Sequence, residues 1–184
     1  MVFALVAGEA SGDALGANLI DNLKLSFPGA RFEGIGGSLM QEKGLHSLFD
    51  IERLSVMGIF EPLKRLPELL YIRDSILRRY KTHRPVVYIG IDSPDFNLPI
   101  ELKLRRLGVK TVHYVSPTVW AWRQGRIRTI RKCVDLMLTL LPFETDFYKK
   151  NGVPVEYVGH PLANQYEMNP SREPACESLQ LNPD

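Results

Sequence analysis

The sequence predicts an α/β fold in which a parallel sheet is covered by helices on both faces. Uncharged runs rich in β-branched residues alternate with longer amphipathic segments, and short turns join them. The run Val86–Ile91 is the clearest strand, because six residues without a charge are typical of a strand buried on both sides. Strand–helix–strand units make right-handed crossovers, which set the strands parallel.

Helices are predicted from apolar residues that recur at helical spacing. Leu15, Leu19 and Leu23 define the first of them, and Pro28 follows it. The stretch from His46 to Gly58 fits neither pattern. The predicted helices are Asp13–Phe27, a brief one after Ser38, a stripe from Leu66 to Tyr80 with Pro62 and Pro67 at first-turn positions, Leu98–Leu107, Gly125–Cys133 and one that begins at Pro142.

Strands are predicted from short apolar runs bounded by turn residues. The N-terminal run is too short and lacks the basic flank of a signal peptide. The predicted strands are Val2–Ala7, Arg31–Ile35, Val86–Ile91, Lys110–Val115, Val134–Leu140 and Val155–Val158.

Composition limits the class of protein. The chain has 184 residues and a formal net charge of +2, so it shows no overall signature of a polyanion-binding protein. Its two cysteines, Cys133 and Cys176, lie far apart, which argues against a disulfide framework and favours the reducing cytoplasm. From Leu162 to Asp184 the chain has three prolines and no predicted strand, which is typical of a linker with at most a short helix near Arg172–Leu179.

An acid stands where the central strand ends. Asp92 follows Ile91, and Pro94 prevents a simple continuation of the strand. Ligands of open parallel sheets bind at the carboxyl ends of the strands. We therefore favour Asp92 as a general base for a hydroxyl nucleophile, although it could instead cap the next turn. Asp95 is expected to orient the loop or to cap the next helix. No metal is predicted, because too few oxygen ligands accompany these acids.

The loop after the first strand, Gly8–Asp13, combines glycines with two acids. It is neither a dinucleotide fingerprint nor a P-loop. Glu9 and Asp13 would repel a pyrophosphate but would accept hydrogen bonds from sugar hydroxyls. The alternative is a tight turn in which Asp13 caps the helix.

Aromatic residues crowd the loop after the strand Lys110–Val115. Trp120, Trp122 and Arg123 could stack on a sugar or hold an acyl chain and a phosphate. The alternative is that they close the edge of the sheet. His113 is either a core residue or a site residue, and His160, after the last strand, either reaches the cleft or ends the domain.

Two segments are basic. One runs from Arg123 to Lys132, and the other, from Lys64 to Arg84, is interleaved with leucines. Basic residues beside exposed apolar ones suit an anionic membrane surface or an amphipathic lipid, whereas a solvated helix face is the simpler reading. Nucleic acid is not predicted as a partner, because the aromatic residues are not spaced as stacking platforms.

Several stretches together resemble the lipid-A-disaccharide synthases, a family of bacterial glycosyltransferases. The segment around the two tryptophans is the most specific of them. The matching stretches are VAGEASGD (6–13), VMGIFE (56–61), IGIDSPDFN (89–97), HYVSPTVWAWRQGR (113–126), LPFE (141–144) and VGHPL (158–162).

The resemblance implies a GT-B architecture of two Rossmann-like domains facing a cleft. It implies transfer of 2,3-diacylglucosamine from its UDP donor to the 6-hydroxyl of 2,3-diacylglucosamine 1-phosphate, with inversion and without metal or cofactor, at the inner face of the bacterial inner membrane. It places functional acids at Asp92 and Glu9. The residues expected to bind substrate are Ser11, Asp13, Ser116, Trp120, Trp122, Arg123 and His160. The residues expected to dock to the membrane are Phe60, Leu63, Leu66, Leu69 and Leu70.

The chain departs from this family in length, since the family is about twice as long. Residues 1–161 correspond to the acceptor-side domain, and residues 162–184 to a segment leading toward a UDP-sugar domain. We therefore expect little transferase activity from this chain alone. Two other functions compete with an acceptor-side half-enzyme: a non-catalytic lipid- or membrane-binding module, and a nucleotide-sugar epimerase or dehydrogenase, which the missing dinucleotide fingerprint weakens.

Overall fold

The computed structural model describes residues 1–54, 61–164 and 176, and the side chains of these residues except 61–64 and 164. The described residues form one parallel sheet of seven strands in the order β3-β2-β1-β4-β5-β6-β7. The strands are β1 (Val2–Ala7), β2 (Arg31–Ile35), β3 (Leu45–Ser47), β4 (Val87–Ile91), β5 (Lys110–Tyr114), β6 (Leu136–Thr139) and β7 (Val155–Tyr157).

Helices connect the strands. Short 3₁₀ turns lie at Ile51–Arg53, Gln124–Arg126 and Pro161–Asn164. The α-helices are α1 (Ala10–Ser26), α2 (Ser38–Glu42), α3 (Glu61–Thr82), α4 (Pro94–Arg106), α5 (Ile127–Cys133) and α6 (Pro142–Lys150). No helix in the described part of the chain combines the length and the apolar character needed to cross a bilayer.

The direction in which successive strands are added to the sheet reverses between β1 and β4, and we call this the change in sheet direction. From β1 the chain builds outward to β2 and β3, and from β4 it builds outward the other way to β5, β6 and β7. Because crossovers are right-handed, α1 lies on one face of the sheet and α4 on the other. The predicted parallel α/β architecture is confirmed, and the change of direction identifies the edge where a ligand site is expected.

Several element boundaries differ from the predictions. α1 begins at Ala10 rather than Asp13, so the loop after β1 contains only Gly8 and Glu9. The unassigned stretch begins inside the short strand β3 (Leu45–Ser47), which pairs with β2. α3 runs continuously through Pro67, because packing of its buried residues Ile72, Ile76 and Tyr80 outweighs the lost backbone hydrogen bond.

The apolar core lies in two clusters on the sheet. The larger surrounds β1, β2 and β4 and includes Leu5, Ile20 and Ile76; the smaller lies beneath α5 and α6 and includes Met137 and Tyr148. The central strands β1 and β4 pair in register, with Ala7 opposite Ile91. The loops after these two strands therefore begin side by side.

Asp13 has a structural position that the sequence did not predict. Its side chain is buried, and its carboxylate accepts hydrogen bonds from the backbone N–H groups of Gly37 (2.8 Å), Leu39 (3.1 Å) and Met40 (3.1 Å). It thus caps α2 across the fold rather than its own helix. The structure thus gives Asp13 a structural role through these three donors, and its expected contact with substrate stays a prediction.

We expect Asp13→Ala to lower the free energy of unfolding by about 2–3 kcal/mol, since three backbone donors lose a charged acceptor. Urea unfolding followed by circular dichroism measures this change. Ser11→Ala, two residues away on the exposed face of α1, is the matched control and should change stability by less than about 0.5 kcal/mol. Equal stabilities of the two variants would contradict the capping role.

Candidate active site

A cavity of about 450 Å³ opens at the carboxyl ends of β1 and β4, where the sheet changes direction. Open α/β sheets bind ligands in this place. Both acids predicted to be functional, Glu9 and Asp92, line it. The full lining is Glu9, Leu54, Leu66, Leu69, Leu70, Arg73, Asp92, Ser93, Pro94, Asp95 and Phe96.

The backbone at Asp92 has an unusual conformation. Asp92 and Ser93 have φ angles of 51° and 43°, in the left-handed region that side-chain-bearing residues rarely adopt. Such residues cost free energy and persist only where their surroundings hold them. The turn bends the chain sharply out of β4 and leaves the half-buried Asp92 on the cavity wall.

Hydrogen bonds hold this turn on both sides. The N–H of Asp92 donates to the carbonyl of Tyr114 at 2.8 Å, and its carbonyl accepts from Asn97 Nδ2 at 2.9 Å. Asn97 is fully buried, and its Oδ1 accepts from the hydroxyl of Tyr88 at 2.8 Å. The position of the Asp92 backbone is therefore fixed from inside the core, through a residue to which the sequence analysis gave no role.

Gly8 brings the two loops together. A Cβ atom at this position would collide with the Ser93 side chain, so only glycine allows the chain to pass so close. The next residue, Glu9, is exposed, and its carbonyl accepts the N–H of Asp13 in the first turn of α1. After this close approach, Glu9 and Asp92 both line the same cavity.

The charge of the cavity lining is mixed. Glu9, Asp92 and Asp95 contribute carboxylates, and Arg73, from α3, contributes a guanidinium. Across the residues described, no three His, Cys, Asp or Glu side chains cluster in a way that would hold a metal ion. Carboxylates beside leucines suit a ligand that has hydroxyl groups at one end and apolar groups at the other.

The segment between β5 and α5, residues 115–126, contains both tryptophans and is called the tryptophan loop below. An ion pair connects it with the cavity. Arg126 binds the carboxylate of Asp95 at the start of α4. The predicted role of Asp95 in orienting the loop agrees with this contact. The pair connects the loop after β5 with the helix that follows Asp92.

Two of the predicted residues of the tryptophan loop pack against α6 instead of the cavity. Trp120 donates from Nε1 to Glu144 at 3.2 Å and lies edge-on to Phe143, with ring centroids 5.0 Å apart. Ser116 is buried, with its hydroxyl 3.0 Å from that of Tyr148. Burial raises the pKa of Tyr148 to about 12, so this hydroxyl stays protonated at neutral pH. These contacts favour the alternative in which the aromatics close the sheet edge, and the substrate-binding roles of Ser116 and Trp120 stay predictions.

The remaining predicted residues are dispersed. Trp122 is 57% exposed, and the Arg123 guanidinium lies 4.5 Å from its ring centroid. Ser11 is exposed on α1. His160 lines a separate cavity of about 530 Å³ between α1 and the ends of β5 to β7. The cavity at Asp92 does not include any of these four residues. Of the expected docking residues, Leu66, Leu69 and Leu70 line it, while Phe60 and the side chain of Leu63 fall outside the described part of the chain.

His113 lies in the core, which resolves the alternative left by the sequence. Its Nδ1 is 2.7 Å from Glu101 Oε1, and both side chains are fully buried. Burial raises the pKa of Glu101, and the interaction with His113 partly opposes that shift. The pair lies beneath Gly90, on the core side of β4.

Sequence reasoning missed Arg73 and Asn97 as site residues. Arg73 was one member of a basic segment, yet Leu66, Leu69, Leu70 and Arg73 follow helical spacing and so share a face of α3. Helical spacing was thus the signal that could have identified Arg73. Asn97 was missed because its hydrogen bonds depend on the fold: its partners are Tyr88 in β4, Asp92 just after β4, and Val6 in β1, which is 91 residues away.

Comparison with known proteins identifies close relatives. A family model described as lipid-A-disaccharide synthetase matches residues 3–184. A relative named lipid-A-disaccharide synthase from Azotobacter vinelandii is 58% identical over 178 residues, covering 97% of this chain and 47% of the relative. One of the same name from Haemophilus influenzae (strain PittEE) is 54% identical over 180 residues, covering 98% of this chain and 46% of the relative. The chain spans about half the length of the curated relatives it matches.

Solved structures support the fold. The crystal structure of Acinetobacter baumannii MurG superposes with a TM-score of 0.53 at 15% identity, covering 91% of this chain and 46% of that one. The structure of the glycotransferase of kitacinnamycin superposes with a TM-score of 0.55 at 14% identity, covering 92% and 55%. At such identities the likeness concerns the fold, and it confirms the predicted Rossmann-like α/β class.

We expect Asn97→Ala to lower the free energy of unfolding by about 2–3 kcal/mol, because the buried hydroxyl of Tyr88 and the carbonyl of Asp92 lose their partner. Asn22→Ala, on the exposed face of α1, is the matched control and should be nearly neutral. Chemical denaturation of both variants tests the expectation. An Asn97→Ala protein as stable as the control would show that the Asp92 turn does not depend on this network.

Proposed function

The chain belongs to the lipid-A-disaccharide synthase family, and we propose that it forms the acceptor-side part of an inverting glycosyltransferase. The reaction proposed is transfer of 2,3-diacylglucosamine from UDP to the 6-hydroxyl of 2,3-diacylglucosamine 1-phosphate. The observation that carries this proposal is the Asp92 carboxylate on the wall of an open cavity at the change in sheet direction. Had Asp92 been enclosed in packed protein, no base would be available there.

Asp92 acts as the general base in this proposal. Its carboxylate takes the proton of the acceptor hydroxyl as that oxygen attacks the anomeric carbon of the donor. The bond from that carbon to the UDP oxygen breaks, and UDP leaves with the electron pair, so the configuration inverts. General-base catalysis of this kind contributes about 10²–10⁴-fold to the rate.

Glu9 orients the acceptor in the same cavity. It is exposed, lines the wall next to Asp92, and accepts hydrogen bonds well from sugar hydroxyls because it is a carboxylate. Orientation of the attacking hydroxyl contributes to the rate by holding the reacting atoms in place. Glu9 thus supports the base without itself taking the proton.

The proposed domain organisation follows from the family. Residues 1–161 make the acceptor-side Rossmann-like domain of a GT-B fold, and residues 162–184 lead toward a UDP-sugar domain. The similarity of the chain to about half of each relative supports this division. Binding of the UDP donor is assigned mainly to that second domain, which leaves this chain with the acceptor.

The rim of the cavity docks to the bacterial inner membrane from its inner face. Leu66 and Leu70 are 48% and 37% exposed on α3, and Tyr71 beside them is 58% exposed. Exposed apolar side chains grouped on one helix together with arginines suit an anionic lipid surface. Acylated substrates held in the membrane would enter the cavity over this rim.

The base assignment is tested in a chimera in which this chain replaces the matching part of the Azotobacter vinelandii relative. We expect Asp92→Asn to lower kcat for disaccharide formation by about 10²–10⁴-fold, because the amide cannot accept the proton. Glu9→Gln should lower kcat by a smaller factor, because Glu9 orients the acceptor and does not take the proton. Asp146→Asn, on the exposed surface of α6, is the matched control and should keep the parent rate. Near-normal turnover of a folded Asp92→Asn chimera would refute the assignment.

The membrane assignment is tested by flotation with vesicles of phosphatidylethanolamine and phosphatidylglycerol. We expect the double variant Leu66→Ser/Leu70→Ser to float several-fold less than the parent chain, because each serine removes apolar area that would enter the bilayer. Leu25→Ser, at a leucine that is 81% exposed on α1, is the control for a general loss of apolar surface. Equal flotation of all three proteins would exclude this face of α3 as the docking surface.

A further inference from the structure

We propose that Arg73 binds the phosphate of the acceptor, an inference that rests on the proposed function and gives its substrate a specific anchor. Arg73 lies on α3 and lines the cavity that holds Asp92. Its Nε atom is buried and has no hydrogen-bond partner within the part of the chain that the structure describes. A buried cationic donor without a partner is costly unless a ligand satisfies it.

Other arginines in the described part of the chain form ion pairs with acidic side chains. Arg53 binds Glu68, Arg79 binds Glu33, and Arg105 binds Asp135. None of the ion pairs found among the described residues involves Arg73, although three carboxylates line the same cavity. Because Arg73 lines the cavity and none of these ion pairs engages it, its guanidinium can bind an anion that enters there.

The charge of the lining explains why an anionic acceptor needs this residue. Glu9 and Asp92 present carboxylates that repel a phosphate monoester, while the third lining acid, Asp95, is paired with Arg126. Arg73 supplies the opposite charge in the same cavity. A guanidinium also has a planar arrangement of donors that matches two phosphate oxygens at once. The carboxylates are then left to the sugar hydroxyls.

The neighbours of Arg73 on α3 match the rest of such a molecule. Leu66, Leu69 and Leu70 line the cavity on the same helical face. A ligand that places a phosphate at Arg73 therefore has apolar surface beside it for acyl chains. A phospholipid also carries a phosphate next to acyl chains. The experiment must therefore distinguish the phosphate of the acceptor sugar from the phosphate of a lipid headgroup.

The test compares binding of two probes in neutral detergent micelles, 2,3-diacylglucosamine 1-phosphate and 2,3-diacylglucosamine, by isothermal titration calorimetry. The parent chain should bind the phosphorylated sugar more tightly. Arg73→Gln should weaken that binding about 10–100-fold, the usual effect of losing a charge-assisted hydrogen-bonded pair, and leave the other sugar unchanged. Arg73→Lys should retain part of the preference, because it keeps the charge but loses the planar donors.

Arg106→Gln, at an exposed residue of α4 outside the cavity, is the matched control and should bind both probes like the parent. Thermal unfolding of each variant checks that the fold is kept. If Arg73→Gln retains the full preference for the phosphorylated sugar, the phosphate assignment is wrong while the acceptor role of the cavity stands. If the parent binds neither sugar, the proposed acceptor function fails as well.

A vesicle measurement separates the two sources of phosphate. Flotation of the Arg73→Gln chain with phosphatidylglycerol vesicles should match the parent, because Arg73 is assigned to the acceptor. Lost flotation together with an unchanged preference between the sugars would assign the guanidinium to a lipid headgroup and overturn the proposal.

Discussion

The hydrogen bond from Asn97 to the carbonyl of Asp92 is the interaction on which the candidate site depends. It holds a turn in which Asp92 and Ser93, neither of them glycine, adopt the left-handed conformation. The side chain that makes this hydrogen bond is fully buried. Asn97 Nδ2 also lies 3.3 Å from the carbonyl of Val6 in β1. The Asn97 amide therefore connects β1 with the turn that follows β4, the two strands between which the sheet changes direction. This connection fixes the backbone that carries the Asp92 carboxylate.

Space for this arrangement comes from small residues. A side chain at Gly90 would collide with Glu101 and with Asn97, so the bare backbone of β4 is what lets α4 bring both residues against the sheet. Gly8 does the same for the loop that carries Glu9. The site is thus built by close approach of backbones first, and the charged side chains are added at its edge. Glu9 accordingly follows Gly8 directly, and Asp92 stands two residues after Gly90.

The sequence was a good guide wherever a property depends on neighbouring residues. The apolar runs that became β1, β4 and β5 were visible directly, and Asp92 was predicted from its place after one of them. The structural contacts of Ser116 and Asp13 were not predicted, because their partners are 32 and 24 to 27 residues away. Hydrogen bonds over such separations leave no local pattern. β3 was missed for a related reason, since three residues are too few to show alternation and its pairing with β2 decides its structure.

The buried pair of Glu101 and His113 has a consequence for how this sequence can vary over time. Glu101 Oε2 and His113 Nε2 make no hydrogen bonds among the described residues, so each side chain relies on the single contact with the other. Replacing one of them alone strands its companion in an apolar interior, which is strongly unfavourable. We therefore expect Glu101 and His113 to be replaced together. Two apolar residues of similar total volume are the replacement that the core tolerates best. Relatives that lack one member should lack the other.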